Sequence, residues 1–136
     1  FNSEDIKRCA TAQGTEIREG DVVLFNTGWL DLLGKDDARF GKGHPGIGAE
    51  GAKYLASLNV MAVGADTWGL EVIPGENPKI MFPVHQELLT KNGIYILENM
   101  DTRELAKDKA YEFMFVLGAA RMTGAVQMII NPIAIR

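Results

Sequence analysis

Residues 82–100 constrain the fold of this chain more than any other stretch. They read as a short helix followed at once by a buried strand. Pro83 suits a first helical position, where its missing N–H would have no partner anyway. Val84, Leu88 and Leu89 then recur at helical spacing, and Gly93 is placed for the left-handed conformation that ends a helix. Residues 94–97 form a continuous apolar run, the pattern of a strand covered on both faces. Two polar residues interrupt this scheme. His85 falls in the first turn of the helix, where the positive end of the dipole disfavours the imidazolium and keeps a nitrogen lone pair free. Glu98 falls at the end of the strand, where a carboxylate needs a partner to offset its desolvation.

The two lie thirteen apart (98 − 85). A helix of about nine residues and a strand of about four have similar lengths, so an antiparallel return brings both side chains to one level. Neutral imidazole and carboxylate oxygen are ordinary ligands for zinc or manganese, and one divalent ion would satisfy both. The plainer alternative is a solvated His and a Glu that meets water or an Arg.

The rest of the chain repeats the alternation of helix and buried strand. Ser3 suits a helix N-cap, with Glu4 and Asp5 in the first turn and Gly14 as the stop. Residues 22–25 read as a buried strand ending in the polar Asn26 and Thr27. Residues 30–48 look like a long loop, and residues 49–58 like a helix with Ala52, Leu55 and Ala56 facing inward. A second buried strand over 60–65 ends at Asp66, and residues 69–81 form a loop that leads to His85. A helical turn near Glu104 precedes strands over 111–117 and 128–135, the latter broken by Pro132 and so confined to an edge or a bulge. The pattern implies an α/β sheet with a more antiparallel C-terminal portion.

At 136 residues the chain is one domain's worth. Fourteen Lys and Arg against eighteen Asp and Glu give −4, and with no basic block nucleic acid is not expected as a partner. No apolar run reaches the roughly 20 residues of a membrane helix, so no membrane association is expected. Cys9 is the single cysteine, which rules out an intrachain disulfide and fits a structural residue in a reducing, cytoplasmic compartment. Gly41, Gly43 and Gly46, and again Gly46, Gly48 and Gly51, match the spacing of a dinucleotide loop. The charged residues 35–39 stand where that loop requires a strand. His44, in Gly-His-Pro-Gly, reads as a loop residue without chemistry. Trp29 and Trp68 follow strand ends and could line a pocket for a flat apolar substrate.

Several short segments together resemble one family. Gly20-Asp-Val-Val-Leu, Asn26-Thr-Gly-Trp, Pro45-Gly-Ile-Gly, Val63-Gly-Ala-Asp-Thr, Val84-His and Ile96-Leu-Glu-Asn-Met look like the C-terminal half of the cyclase family of metal-dependent hydrolases, which includes kynurenine formamidase and isatin hydrolase. The resemblance implies an α/β fold with a mixed, barrel-like sheet and flanking helices, of which residues 1–136 form a single C-terminal part of a larger domain. It implies hydrolysis of an amide or lactam C–N bond in a small, often aromatic, substrate by zinc or manganese. His85 and Glu98 match the family's later metal ligands, with Trp29 and Trp68 as substrate-binding walls.

The family's His-x-Gly-Thr-His-x-Asp-x-Pro-x-His motif is absent, and the resemblance places it before Phe1. Gln127-Met-Ile-Ile-Asn-Pro stands where the family often has Gly-Ser-Pro-x-Arg-Pro. Without the motif's ligands and general base, the chain is expected to be inactive alone. It is expected to join a companion N-terminal segment or a homo-oligomer. The rival reading is a non-catalytic remnant of the fold that serves binding or assembly.

Overall fold

The computed structural model describes all of residues 1–136. Strands β1 (Val22–Phe25), β2 (Ala62–Ala65) and β3 (Tyr95–Leu97) form a parallel sheet in the order β1-β2-β3. Val63 pairs with Val23 on one side and Ile96 on the other. β2 is central and buried at every position, as its unbroken run of small apolar residues requires. Helix α3 (Ala49–Ser57) lies in the crossover from β1 to β2, and α4 (Pro83–His85), continued by a π-helical turn over Gln86–Lys91, lies in the crossover from β2 to β3. Both crossovers step the same way across the sheet, so right-handed connection puts both helices on one face. There α3 packs against the π turn and against α1 (Ser3–Gln13).

That layer holds the main core. Leu55, Val63, Leu70, Val84 and Leu88 are fully buried, joined by Ile6 and Ile47. The opposite face of the sheet carries a smaller cluster of Ala62, Leu97 and Met100, covered by Leu24, Phe115 and Ile130. Beyond the short helix α5 (Arg103–Lys107), β4 (Met114–Val116) and β5 (Ile133–Ile135) form an antiparallel pair. The architecture is therefore α/β with both parallel and antiparallel pairing. No helix is long and apolar enough to cross a membrane.

Some local expectations change. The N-cap of α1 is Asn2, not Ser3, because Asn2 has the extended backbone a cap needs. Its side chain accepts from the Asp5 N–H at 3.0 Å, and the Asp5 carboxylate accepts from the Asn2 N–H at 3.1 Å. Residues 30–48 are not one loop: a 3-10 turn spans Trp29–Leu32, and α2 spans Asp37–Lys42, capped by Asp36. Its charged sequence hides it, since no apolar stripe marks a short exposed helix. β3 is an edge strand, with Tyr95 exposed, so the apolar run over 94–97 is not covered on both faces. The two C-terminal strands are three residues each, shorter than the apolar runs that contain them.

Candidate functional site

The polar residues that end the three parallel strands converge at one edge of the sheet. In open parallel sheets this carboxyl edge is where ligands bind, because the backbone there is free to turn away. Asp66, after β2, accepts from the Thr27 N–H at 2.9 Å and the Thr27 hydroxyl at 2.7 Å, tying the end of β1 to the end of β2. The Asn99 N–H donates to the Thr67 carbonyl at 2.9 Å, which ties in the end of β3.

His85, the last residue of α4, reaches this edge. Its Nδ1 lies 2.6 Å from Glu71 Oε1, and its Nε2 lies 3.5 Å from Glu98 Oε1. The ring thus sits between two carboxylates. They hold its pKa well above the usual histidine value, at about 9, through the hydrogen bond to Glu71 first and then that to Glu98, with burial opposing. This corrects the expectation that the helix dipole keeps the imidazole neutral. A three-residue α turn has little dipole, and two adjacent carboxylates outweigh it.

Glu71 is buried and accepts the N–H groups of both Val84 and His85, each at 3.2 Å, so it also caps the helix start. Its backbone is fixed from the other side. Residues 44–47 run alongside residues 70–73, with His44 exchanging both backbone hydrogen bonds with Ile73 and Ile47 bonded to Leu70 and Val72. A side chain at Gly46 would collide with the Leu70 carbonyl, and one at Gly43 with the Ile73 carbonyl. Close backbone approach accounts for these two glycines. The N-terminus of α3 is already occupied by the Glu76 carboxylate, which accepts the Ala49 N–H at 3.0 Å. No phosphate-binding cradle remains there.

As a metal site, the His85 and Glu98 pair passes one test of fit. Two donors each about 2.1 Å from an ion and tetrahedrally disposed stand about 3.4 Å apart, close to the 3.5 Å found. The set is partial, since no group of three or more His, Cys, Asp and Glu side chains is arranged to hold an ion. A catalytic zinc takes three protein ligands, and this pair accounts for two.

Trp29 and Trp68 stand together. Both indole N–H groups donate to the Phe40 carbonyl, at 3.4 and 3.0 Å. Trp68 packs edge-on against His44, with ring centres 4.6 Å apart. Neither Trp lines the cleft of about 280 Å³ beside Glu98, whose apolar wall is Leu24, Met100, Phe115, Ile130 and Pro132. His44 is not the bland loop residue its sequence suggests. It is buried, its Nδ1 meets the Pro45 carbonyl at 2.9 Å, and its Nε2 has no partner. Burial lowers its pKa, so the ring is neutral. Cys9 is free and exposed rather than a packed structural residue.

The putative cyclase family matches residues 1–72, more than half of the 136-residue chain. The chain belongs to the cyclase family. A crystal structure described as a novel cyclase superposes on it with a TM-score of 0.85 at 29% identity, covering 99% of this chain and 46% of that one. Isatin hydrolase A from Ralstonia solanacearum shares the fold, with a TM-score of 0.64 at 23% identity over 77% of this chain and 42% of the other. The chain thus spans less than half the length of either solved relative. Comparison with curated proteins finds no match.

Glu71 is the residue that sequence reasoning missed. It was hidden in a stretch that reads as a loop rich in Pro and Gly. A lone acid between Leu70 and Val72-Ile73 is the signal that could have found it, because an acid inside an apolar run needs a partner.

Proposed function

We propose that this chain supplies two ligands, His85 and Glu98, to the divalent metal, zinc or manganese, of a cyclase-family hydrolase. The substrate is a small, often aromatic, molecule with an amide or lactam C–N bond. The observation that carries the reading is the 3.5 Å approach of His85 Nε2 to Glu98 Oε1 at the carboxyl edge of the sheet, in a chain of this family. Such a metal polarises a carbonyl and lowers the pKa of a bound water.

The chain's own residues bind and orient. His85 offers Nε2 and Glu98 offers an oxygen with negative charge. Trp29 and Trp68 are walls for the flat part of a substrate, and the cleft beside Glu98 offers a second apolar surface. No third ligand converges on the pair, and no general base is assigned within the chain, so the 136 residues by themselves are expected to be inactive. The exposed apolar side chains of β4 and β5 take cover from a companion segment or a second copy. The exposed thiol of Cys9 fits a reducing, cytoplasmic compartment. The rival reading, a binding or assembly module, draws on the same apolar surface and on the incomplete ligand set.

The test is metal affinity. Zinc and manganese titration of the protein should give weaker binding in His85→Ala and in Glu98→Gln, by about 100-fold or more, beyond the range of an outer-shell change. Hydrolysis of formamide and lactam substrates should fall with it. Unchanged affinity in both variants would remove the site. Metal-dependent turnover by the 136-residue chain alone would overturn the expected inactivity.

A further inference from the structure

We propose that Glu71 is the positioning residue for the His85 ring: it holds the proton on Nδ1 and turns Nε2 toward Glu98, so that the imidazole presents one fixed nitrogen for metal. The proposal rests on the metal reading of His85 and Glu98 given above.

Geometry carries it. Glu71 Oε1 receives His85 Nδ1 at 2.6 Å, a charge-assisted distance. The same carboxylate accepts the Val84 and His85 backbone N–H groups at 3.2 Å. Three donors from two neighbouring residues therefore fix one buried carboxylate, and they offset its desolvation. The ring cannot turn over without loss. A half-turn about its own axis would put carbon where Nδ1 meets Glu71 and carbon where Nε2 faces Glu98. Phe82 packs edge-on against the ring, centres 5.2 Å apart, and limits its swing.

Glu71 is itself rigid, because the backbone on either side of it is bonded to Ile47 and its side chain is 4% exposed. Which imidazole nitrogen takes a metal is set by the hydrogen bond that the other nitrogen makes. A carboxylate behind the ring also raises the basicity of the ligating nitrogen, and its loss typically costs 10–100-fold in metal affinity.

A merely structural role would be met by capping alone, and Glu71→Gln separates the two. With its amide oxygen in the place of Oε1 it can still accept the His85 N–H and Nδ1–H, giving up only the Val84 N–H that goes to Oε2, while the charge behind the ring is gone. The expected result is a folded variant whose zinc affinity is about 10–100-fold weaker. In the parent protein, nitrogen-15 NMR of zinc-loaded His85 should find zinc on Nε2 and the proton on Nδ1. A folded Glu71→Gln that binds zinc as tightly as the parent overturns the proposal.

Should that variant fail to fold, the parent spectrum decides: zinc on Nδ1, or a proton on Nε2, overturns it. Unchanged zinc affinity in both His85→Ala and Glu98→Gln would remove the metal reading and this role with it. Loss of zinc in those two, beside full affinity in Glu71→Gln, would remove the role of Glu71 alone.

Discussion

In β2, Ala62–Ala65 is buried at every position, whereas in β5 Ile133–Ile135 is exposed at every position. Both are short apolar strands, so composition does not separate them. What differs is the number of neighbours. β2 has a strand on each side, helices on one face and the Phe115 and Ile130 side chains over the other. β5 has one partner strand and no layer on its faces, and Ile129 just before it is 100% exposed. The C-terminal arm, residues 111–136, is held to the body by the packing of Phe115 and Ile130 on the smaller cluster and by polar ties, among them Arg136 to Asp108 and to the Glu104 carbonyl. Surface ion pairs of this kind contribute about 0–1 kcal/mol each, far less than burial of the same strand would. The body thus carries its own hydrophobic core and the His85–Glu98 pair, whereas the arm adds a wall to the cleft beside Glu98 and otherwise carries exposed apolar surface.

The largest effect should separate the two regions directly. Leu88→Ala, at a fully buried position in the body, should lower unfolding free energy by about 2–5 kcal/mol. Ile129→Ala in the arm should change it by less than about 0.5 kcal/mol. Denaturant unfolding of both variants measures the contrast, and equal losses would mean that the arm is packed in solution.

Next comes one substitution made in both regions. Gly46→Ala forces a methyl group against the Leu70 carbonyl and the Val72 N–H, whereas Gly118→Ala meets nothing within 4 Å. The first should cost about 1–3 kcal/mol or more and the second less than about 0.5 kcal/mol. Thermal unfolding reads both, and a harmless Gly46→Ala would break the account of how residues 70–73 hold Glu71.

The pH dependence should belong wholly to the body. In the metal-free protein the folded pKa of His85 is raised to about 9, above its ordinary 6.5. Its contribution is therefore full below about pH 6.5 and is lost as pH rises through about 9. After discounting for solvent screening of a partly exposed ring it amounts to about 1–2 kcal/mol. His44 shifts the other way, lowered by burial, so its contribution is present above its unfolded pKa and lost as pH falls below it. Stability should then peak near pH 6.5. His85→Gln should abolish the fall on the alkaline side, and an alkaline fall that survives in that variant would assign the response elsewhere.

The smallest expected effect concerns the helix start at the body's first element. Asn2→Ala removes the cap from Asp5 and should cost about 1 kcal/mol, whereas Ser3→Ala leaves that cap in place. If Ser3→Ala costs as much, the Glu50 carboxylate that receives both the Ser3 N–H and hydroxyl at 2.6 Å matters more than the cap.

Local pattern by itself determined much of this protein. The strand over residues 22–25, the helix over residues 3–13 and the Gly14 and Gly93 stops were legible because hydrophobic period and turn chemistry are properties of neighbours in the chain. The meeting of His85 and Glu98 was legible too, since a short helix and a short strand of similar length must return side chains at their ends to one level. Tertiary structure alone decided the rest. Glu71 becomes the partner of His85 only because residues 70–73 lie against residues 44–47, a pairing between segments too far apart in sequence to leave a local signal. His44 is buried by the same pairing and by Trp68. The charge on His85 likewise followed from two carboxylates delivered by separate segments, against the dipole that its own helix suggested. Burial and electrostatics sum over neighbours in space, and a strand such as Ile133–Ile135 can be as apolar as a core strand and still lie open.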